Sequence, residues 1–176
     1  TYSLIKKTGF TGKNWITLPL NTTLKNAKDV ITSVGSNASV ISRFNASLQA
    51  PQSFLNIGSG IGLNFTLQQG EGYELTVSGN TTWTIVGVPY QTTPAINLVF
   101  KTGSTGKNWI GLPLSSTLLN ANGTLTSVGI NANNVRRLNP DTQLFENWNG
   151  AGTNFATKDG EGYEVSVAAN TTWTPS

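Results

Sequence analysis

The sequence predicts a mainly β protein of two homologous small domains, each a β-sandwich or partly open barrel carrying one short α-helix. Three observations predict it. The stretch Lys7-Thr-Gly-Phe-Thr-Gly-Lys-Asn-Trp-Ile-Thr-Leu-Pro-Leu20 is written again as Lys101-Thr-Gly-Ser-Thr-Gly-Lys-Asn-Trp-Ile-Gly-Leu-Pro-Leu114, so the chain is a tandem duplication. Short runs of alternating apolar and polar residues, bounded by turn residues, fill most of each copy. One segment per copy switches to helical spacing instead.

The offset between copies is 94, from Lys7 to Lys101, and it holds through Thr32-Ser-Val-Gly35 and Thr126-Ser-Val-Gly129. It slips between Asn45 and Phe65, where the first copy is longer at 47–54 and 58–62. It then settles at 90, from Gly70-Glu-Gly-Tyr-Glu74 to Gly160-Glu-Gly-Tyr-Glu164. Insertions concentrate in loops. The reading is therefore a first domain at 1–87, a connector at 88–95 held extended and stiff by two prolines, and a second domain at 96–176. Units of this size lie within the range of autonomous small domains.

Each unit opens on a strand, Tyr2-Ser-Leu-Ile-Lys6 and Ile96-Asn-Leu-Val-Phe100. After a Thr-Gly-x-Thr-Gly turn comes Asn14-Trp-Ile-Thr-Leu18, with Ile16, Leu18 and Leu20 on one face and Trp15 and Thr17 on the other. Pro19 and Pro113 end that strand or leave it on an edge. Ala27, Val30, Ile31 and Val34 then fall at helical spacing, as do Ala121, Thr124, Leu125 and Val128. Asn26 is the expected N-cap with Asp29 in the first turn, and Gly35 and Gly129 stand where a left-handed C-terminal residue belongs. Gly123 weakens the second helix by about 1 kcal/mol relative to Ala. Strands are expected at Val40–Phe44, Ser53–Ile57, Asn64–Leu67, Tyr73–Val77 and Thr82–Val86, with counterparts in the second copy.

Composition narrows the function classes. Charged residues are 11% of the chain, against roughly 25% in an average soluble protein, and Thr, Ser, Asn and Gly fill the deficit. That balance suits exported β-rich proteins. The net charge of +3 is scattered, with only Lys6-Lys7 and Arg136-Arg137 adjacent, so no nucleic-acid footprint is expected. No run reaches the roughly 20 apolar residues of a membrane span. The chain opens at Thr1 and has no Met, which points to removal of a leading segment such as a signal peptide.

Without His or Cys the chain holds no Ser-His or Cys-His triad, no disulfide and none of the usual transition-metal ligand sets, and no cofactor is expected. The repeated carboxylate pairs, Glu71 with Glu74 and Glu161 with Glu164, do not converge on alternation and read as solvated surface charge. The loop Gly58-Ser-Gly-Ile-Gly62 lacks the Lys-Ser/Thr of a phosphate loop. Asp141 and Asp159 lack calcium-loop spacing. No catalytic residue is assigned.

Seven Asn-x-Ser/Thr triplets make Asn21, Asn37, Asn45, Asn64, Asn80, Asn122 and Asn170 candidate N-glycosylation acceptors. Chance at this composition supplies about four or five such triplets, so Asn80 and Asn170, which repeat in register, are the best supported. Trp148, beside Asn147 and Asn149, and Trp15 and Trp109, opposite Ile16 and Leu18, are candidates for stacking on sugar rings. The competing reading packs Trp15, Trp83, Trp109 and Trp173 into the ends of two small cores. The second copy stops sooner after its last Trp than the first, so Tyr2, Leu4 and Ile5 of another copy, or the apolar connector, could fill a vacated strand position by β-strand addition.

Taken together, Lys-Asn-Trp-Ile-x-Leu-Pro-Leu, the helix ending in Ser-Val-Gly, Arg-Phe-Asn or Arg-Leu-Asn, Gly-Glu-Gly-Tyr-Glu and the closing Thr-Trp-Thr resemble a tandem β-rich repeat module of exported bacterial and archaeal surface proteins. The resemblance spans nearly the whole chain and implies location rather than activity. The expectation is a non-enzymatic extracellular subunit of the cell surface, structural or adhesive, able to form a filament or sheath by self-association. A carbohydrate-binding module using exposed Trp and a surface polysaccharide is the alternative.

Overall fold

The computed structural model describes residues 1–175; Ser176, at the end of the expected second domain, lies outside the described residues. The protein is mainly β, with several multi-stranded sheets and, among the described residues, two helices and no closed barrel. In the first unit Tyr2–Leu4 (β1), Lys13–Thr17 (β2) and Leu20–Thr22 (β3) precede the helix Ala27–Val34 (α1). Ala38–Asn45 (β4), Ala50–Leu55 (β5), Ile61–Gly62 (β6), Gly72–Val77 (β7), Thr81–Trp83 (β8) and Gly87–Pro89 (β9) follow. The second unit repeats the plan with Ile96–Leu98 (β10), Lys107–Gly111 (β11), the helix Ala121–Val128 (α2), Ala132–Asn139 (β12), Leu144–Trp148 (β13), Gly162–Val167 (β14) and Thr171–Trp173 (β15).

The main sheets run β2-β7-β4-β5-β6 and β11-β14-β12-β13, all antiparallel. Their registers correspond residue for residue: Trp15 faces Glu74 and Trp109 faces Glu164. Each unit keeps its own core. In the first, Ile16, Ile41 and Leu75 of the sheet pack with Val30 of α1; in the second, Ile110, Val135 and Val165 take the equivalent sheet places.

Both helices begin where the spacing predicts. The Asn26 side chain accepts from Asp29 N–H, and Asp29 returns a bond to the Asn26 backbone, closing a capping box. Asn120 caps α2 through Gly123 N–H, and with glycine at that position no reciprocal bond forms. Gly35 (φ 91, ψ −158) and Gly129 (φ 96, ψ −164) have positive φ, but their ψ lies outside the left-handed helical region and in territory that only glycine occupies easily.

One expected strand comes out differently. Asn64–Leu67 forms no strand. It crosses the entry of α1, where the Phe65 carbonyl accepts from Ala27 N–H and Leu67 N–H donates to Lys25, so its hydrogen bonds go to the helix lead-in. The connector, expected as a stiff extended link at 88–95, is in addition tied to the first unit: Gly87–Pro89 pairs with Leu20–Thr22, and Gln69 donates to the Thr92 carbonyl.

Candidate functional site

The Lys-Asn-Trp-Ile motif is built for position. Asn14 is buried; its side chain accepts from Ile5 N–H and donates to the carbonyls of Ile5 and Gly12, clamping β1 to the turn before β2. Asn108 does the same with Val99 and Gly106. The alternation expected for Asn14–Leu18 holds, yet both faces are covered, because the Trp15 and Thr17 side packs against the second unit.

That packing forms a seam whose contacts come in pairs related by exchange of the units. Thr17 N–H donates to the Gly160 carbonyl and Gly111 N–H to the Gly70 carbonyl, so each edge strand is covered by the start of the other unit's central strand. The Gln143 side chain donates to the Lys13 carbonyl, and Gln49 bonds both backbone polar groups of Lys107. Trp15 and Trp109 lie 5.3 Å apart between ring centroids, with Phe145 against Trp15 and Phe44 against Trp109. Main-chain contact is so close that a Cβ at Gly72 would stand 2.6 Å from the Ile110 carbonyl oxygen, and one at Gly162 2.7 Å from that of Ile16.

The carboxylates read from sequence as solvated are largely tied into this framework, which corrects that expectation. Glu74 accepts from Trp15 Nε1 at 3.0 Å and pairs with Lys13; Glu164, 3% exposed, accepts from Trp109 Nε1 at 3.1 Å and meets Lys107 and Arg136. Glu71 and Glu161 accept from the hydroxyls of Tyr73 and Tyr163. Burial holds both carboxyls above their ordinary range, against the pull of those hydroxyls and of Arg43 or Arg137. Sequence reasoning missed these pairings, although a Trp facing a Glu across neighbouring strands in both copies was the available signal.

Two clefts flank the seam, again related by exchange of units. The first, about 350 Å³, lies between the β4–β5 turn with residues 68–71 of unit one and β10 and β11 of unit two. The second, about 300 Å³, lies between β1 and β2 of unit one and the turn at Pro140 with residues 158–161 of unit two. Their chemistry differs. Ser47, Gln68 and Gln69 line the first where Asp141, Lys158 and Asp159 line the second.

The candidate stacking residues separate accordingly. Trp15 is 6% exposed and its ring is taken up by the seam, so the expectation of a sugar platform there is corrected. Trp109 is half-buried and forms part of the first cleft's wall. Trp148 is half-buried against the second core, its Nε1 donating to the side chain of Asn122. Trp83 and Trp173 are buried, donating to Ser33 and Ser127, as the packing reading expected.

The strand-exchange segment is already paired. Tyr2–Leu4 lies on Thr81–Trp83 of its own unit, Leu4 is 1% exposed, and the Tyr2 hydroxyl donates to the Thr17 carbonyl. Ile5 is held by Asn14. Thr171–Trp173 matches Thr81–Trp83 in length and is likewise paired, with Ile96–Leu98, so the vacated position that strand exchange requires is absent among the described residues. Among the glycosylation candidates, Asn21, Asn64, Asn80, Asn122 and Asn170 are exposed and Asn37 and Asn45 half-exposed. Asn80 and Asn170 use only Oδ1 within the protein, accepting from Lys6 and Phe100 N–H, so Nδ2, the atom a glycan would take, is uncommitted.

No protein-family model, curated protein or solved structure matches this chain. Among the described residues no group of three or more Asp and Glu is arranged to hold a metal ion, and no helix is long and apolar enough to cross a membrane.

Proposed function

We propose that the chain is a non-enzymatic extracellular subunit of a cell surface, structural or adhesive, in which two β units act as one block. The observation that carries this reading is the use made of the repeated residues. Trp15, Trp109, Glu74, Glu164, Gly72 and Gly162 go into joining the units, and the motifs leave no repeated carboxylate pair free for hydrolysis. A rigid pair of units suits an elongated spacer better than two beads on a flexible tether. The resemblance to repeats of exported surface proteins supports the same location.

Assembly into a filament or sheath would use faces that exist with β1 in place, since donating Tyr2, Leu4 and Ile5 to another copy would open the first core. Immunogold labelling of intact source cells, combined with negative-stain microscopy of the native protein, tests the proposal. Label on the outer surface, with or without regular fibres, is the expected result. Label confined to the cell interior overturns it.

A further inference from the structure

We propose that the first cleft is a binding site for a neutral pyranose sugar. The inference rests on the adhesive reading and deepens it, naming what the block would hold. It comes from comparing two clefts that share a backbone and differ in what their side chains have left to offer.

Beside the second cleft, the arginine that meets its Glu161 is engaged by two carboxylates. Arg137 donates through Nε to Glu146 at 2.7 Å and through one terminal nitrogen towards Glu161 at 3.5 Å and the Ala156 carbonyl. In the first, the position of Glu146 is taken by neutral Gln52, which accepts from Arg43 Nε at 2.9 Å. Arg43 lies near enough to Glu71 to draw its carboxyl pKa down against burial, yet forms no ion pair with it. Its terminal nitrogens have no hydrogen-bond partner among the described residues, and neither does the second carboxylate oxygen of Glu71. The Gln68 amide and Asn45 Nδ2 are uncommitted as well.

Phe44 and Trp109, both half-buried with centroids 5.5 Å apart, supply an apolar wall beside these groups. A sugar ring has that same division, hydroxyls at its edge and C–H groups on its face. Arg43 and Glu71 offset each other in charge, so a neutral ring fits better than a uronate or a phosphate, which would need the carboxylate removed. The volume admits a single ring with room for a glycosidic neighbour.

The sugar can arrive on a separate polysaccharide or on Asn45 itself, which opens an Asn-Ala-Ser triplet and lines the same wall. Peptide mass spectrometry of source material separates the two: a glycan on Asn45 makes the occupant the protein's own, and an unmodified Asn45 makes it external.

The binding test uses glycan-free full-length protein titrated with methyl glycosides of glucose, galactose, mannose and N-acetylglucosamine to about 50 mM, well above a millimolar Kd. NMR should show saturable shifts at the side-chain amides of Asn45 and Gln68 and at Arg43 Nε. The exposed Gln68→Ala variant, which leaves the fold untouched, should weaken Kd by about tenfold, and Arg43→Lys by at least as much. Lys158→Ala, at the matching place in the second cleft, should leave Kd unchanged. Saturation by none of the four sugars, shifts centred on Trp148, or equal weakening by Lys158→Ala overturns the site. None of these outcomes touches the surface reading, which stands or falls on labelling.

Discussion

The two units share a backbone and differ in how they handle charge. At one cross-strand position the first unit sets Ser42 opposite Ser53, hydroxyl to hydroxyl at 2.8 Å, while the second sets Arg136 opposite Asn147. Arg136 lies 3.5 Å from the Phe145 ring centroid and reaches Glu164 at 3.6 Å, with its Nε buried and unpartnered. One strand position further on, Arg43 faces neutral Gln52 and Arg137 faces Glu146. Many core positions (Ile16 and Ile110, Tyr73 and Tyr163) and the seam residues Trp15 and Trp109, Gly72 and Gly162 are kept in both copies, whereas cleft residues such as Ser47 and Asp141, or Gln68 and Lys158, have diverged. The scaffold therefore tolerates neutral or ionic lining on one unchanged frame, which is the arrangement a binding surface requires.

The largest expected effect breaks the seam. Trp15→Ala empties a buried site and strands Glu74 without its indole donor, and should lower unfolding free energy by about 3–5 kcal/mol in urea titrations. Trp109→Ala, at a half-buried ring, should cost less. Equal losses would mean that the seam is symmetric in energy as well as in contacts. Next comes the charge asymmetry. Arg137→Ala removes the cation bonded to both Glu146 and Glu161, leaving them only the hydrogen bonds of Asn139 and Tyr163, and should cost about 3 kcal/mol. Arg43→Ala loses one bond to neutral Gln52 and a longer-range attraction to Glu71 and should cost about 1 kcal/mol. The reverse order would remove the distinction between the two clefts.

A finer test lies where the copies meet. Thr17 and Gly111 occupy corresponding positions and face each other: a Cβ at Gly111 would stand 1.7 Å from Thr17 Oγ1. There is room for one side chain, so one copy carries Thr and the other Gly. Gly111→Thr, which makes the repeat more perfect, should destabilise by about 1–3 kcal/mol through overpacking. Exchanging both residues, Thr17→Gly with Gly111→Thr, should recover most of that loss. Simple additivity of the two changes would show that they do not compete for one space.

This pair also marks where sequence reading runs out. The capped helices and the strand alternation were legible because each depends on residues close in the chain, and the duplication because residue identity alone reveals it. Asn64–Leu67 misled because an apolar alternation looks the same whether its amides join a sheet or cap a helix entry. The joining of the units was harder, since a face covered by a neighbour carries the same alternation as a face open to solvent. Its traces were present in Trp15 facing Glu74, in the doubled glycines of Gly-Glu-Gly-Tyr-Glu, and in the single Thr-to-Gly difference within an otherwise repeated strand. The clefts left no trace at all, because their walls draw on residues of both units brought together by the seam.

The smallest expected effect concerns pH. Glu71 and Glu161 are raised by burial, so in the acid range the folded protein holds protons there that the unfolded chain would release. Stability from such a group is complete below the ordinary carboxyl value and is lost as pH rises through the folded one. Glu146 runs the opposite way. Despite some burial its carboxyl is lowered by hydrogen bonds from Asn139 and Arg137, so its contribution is present above the ordinary value and fades as pH falls through the folded one. The second unit thus carries opposing slopes, and the first, with Gln52 in place of Glu146, carries only that of Glu71. Glu71→Gln keeps an acceptor for the Tyr73 hydroxyl and removes the buried charge. Its stability should equal or exceed that of the parent at neutral pH, with the gap closing as the solution is acidified between about pH 8 and pH 4. Glu161→Gln also gives up its contact with Arg137, so its gain at neutral pH should be smaller or reversed. Urea midpoints measured across that range check both variants, and a Glu71→Gln profile running parallel to the parent would show that burial of this carboxylate carries no proton linkage.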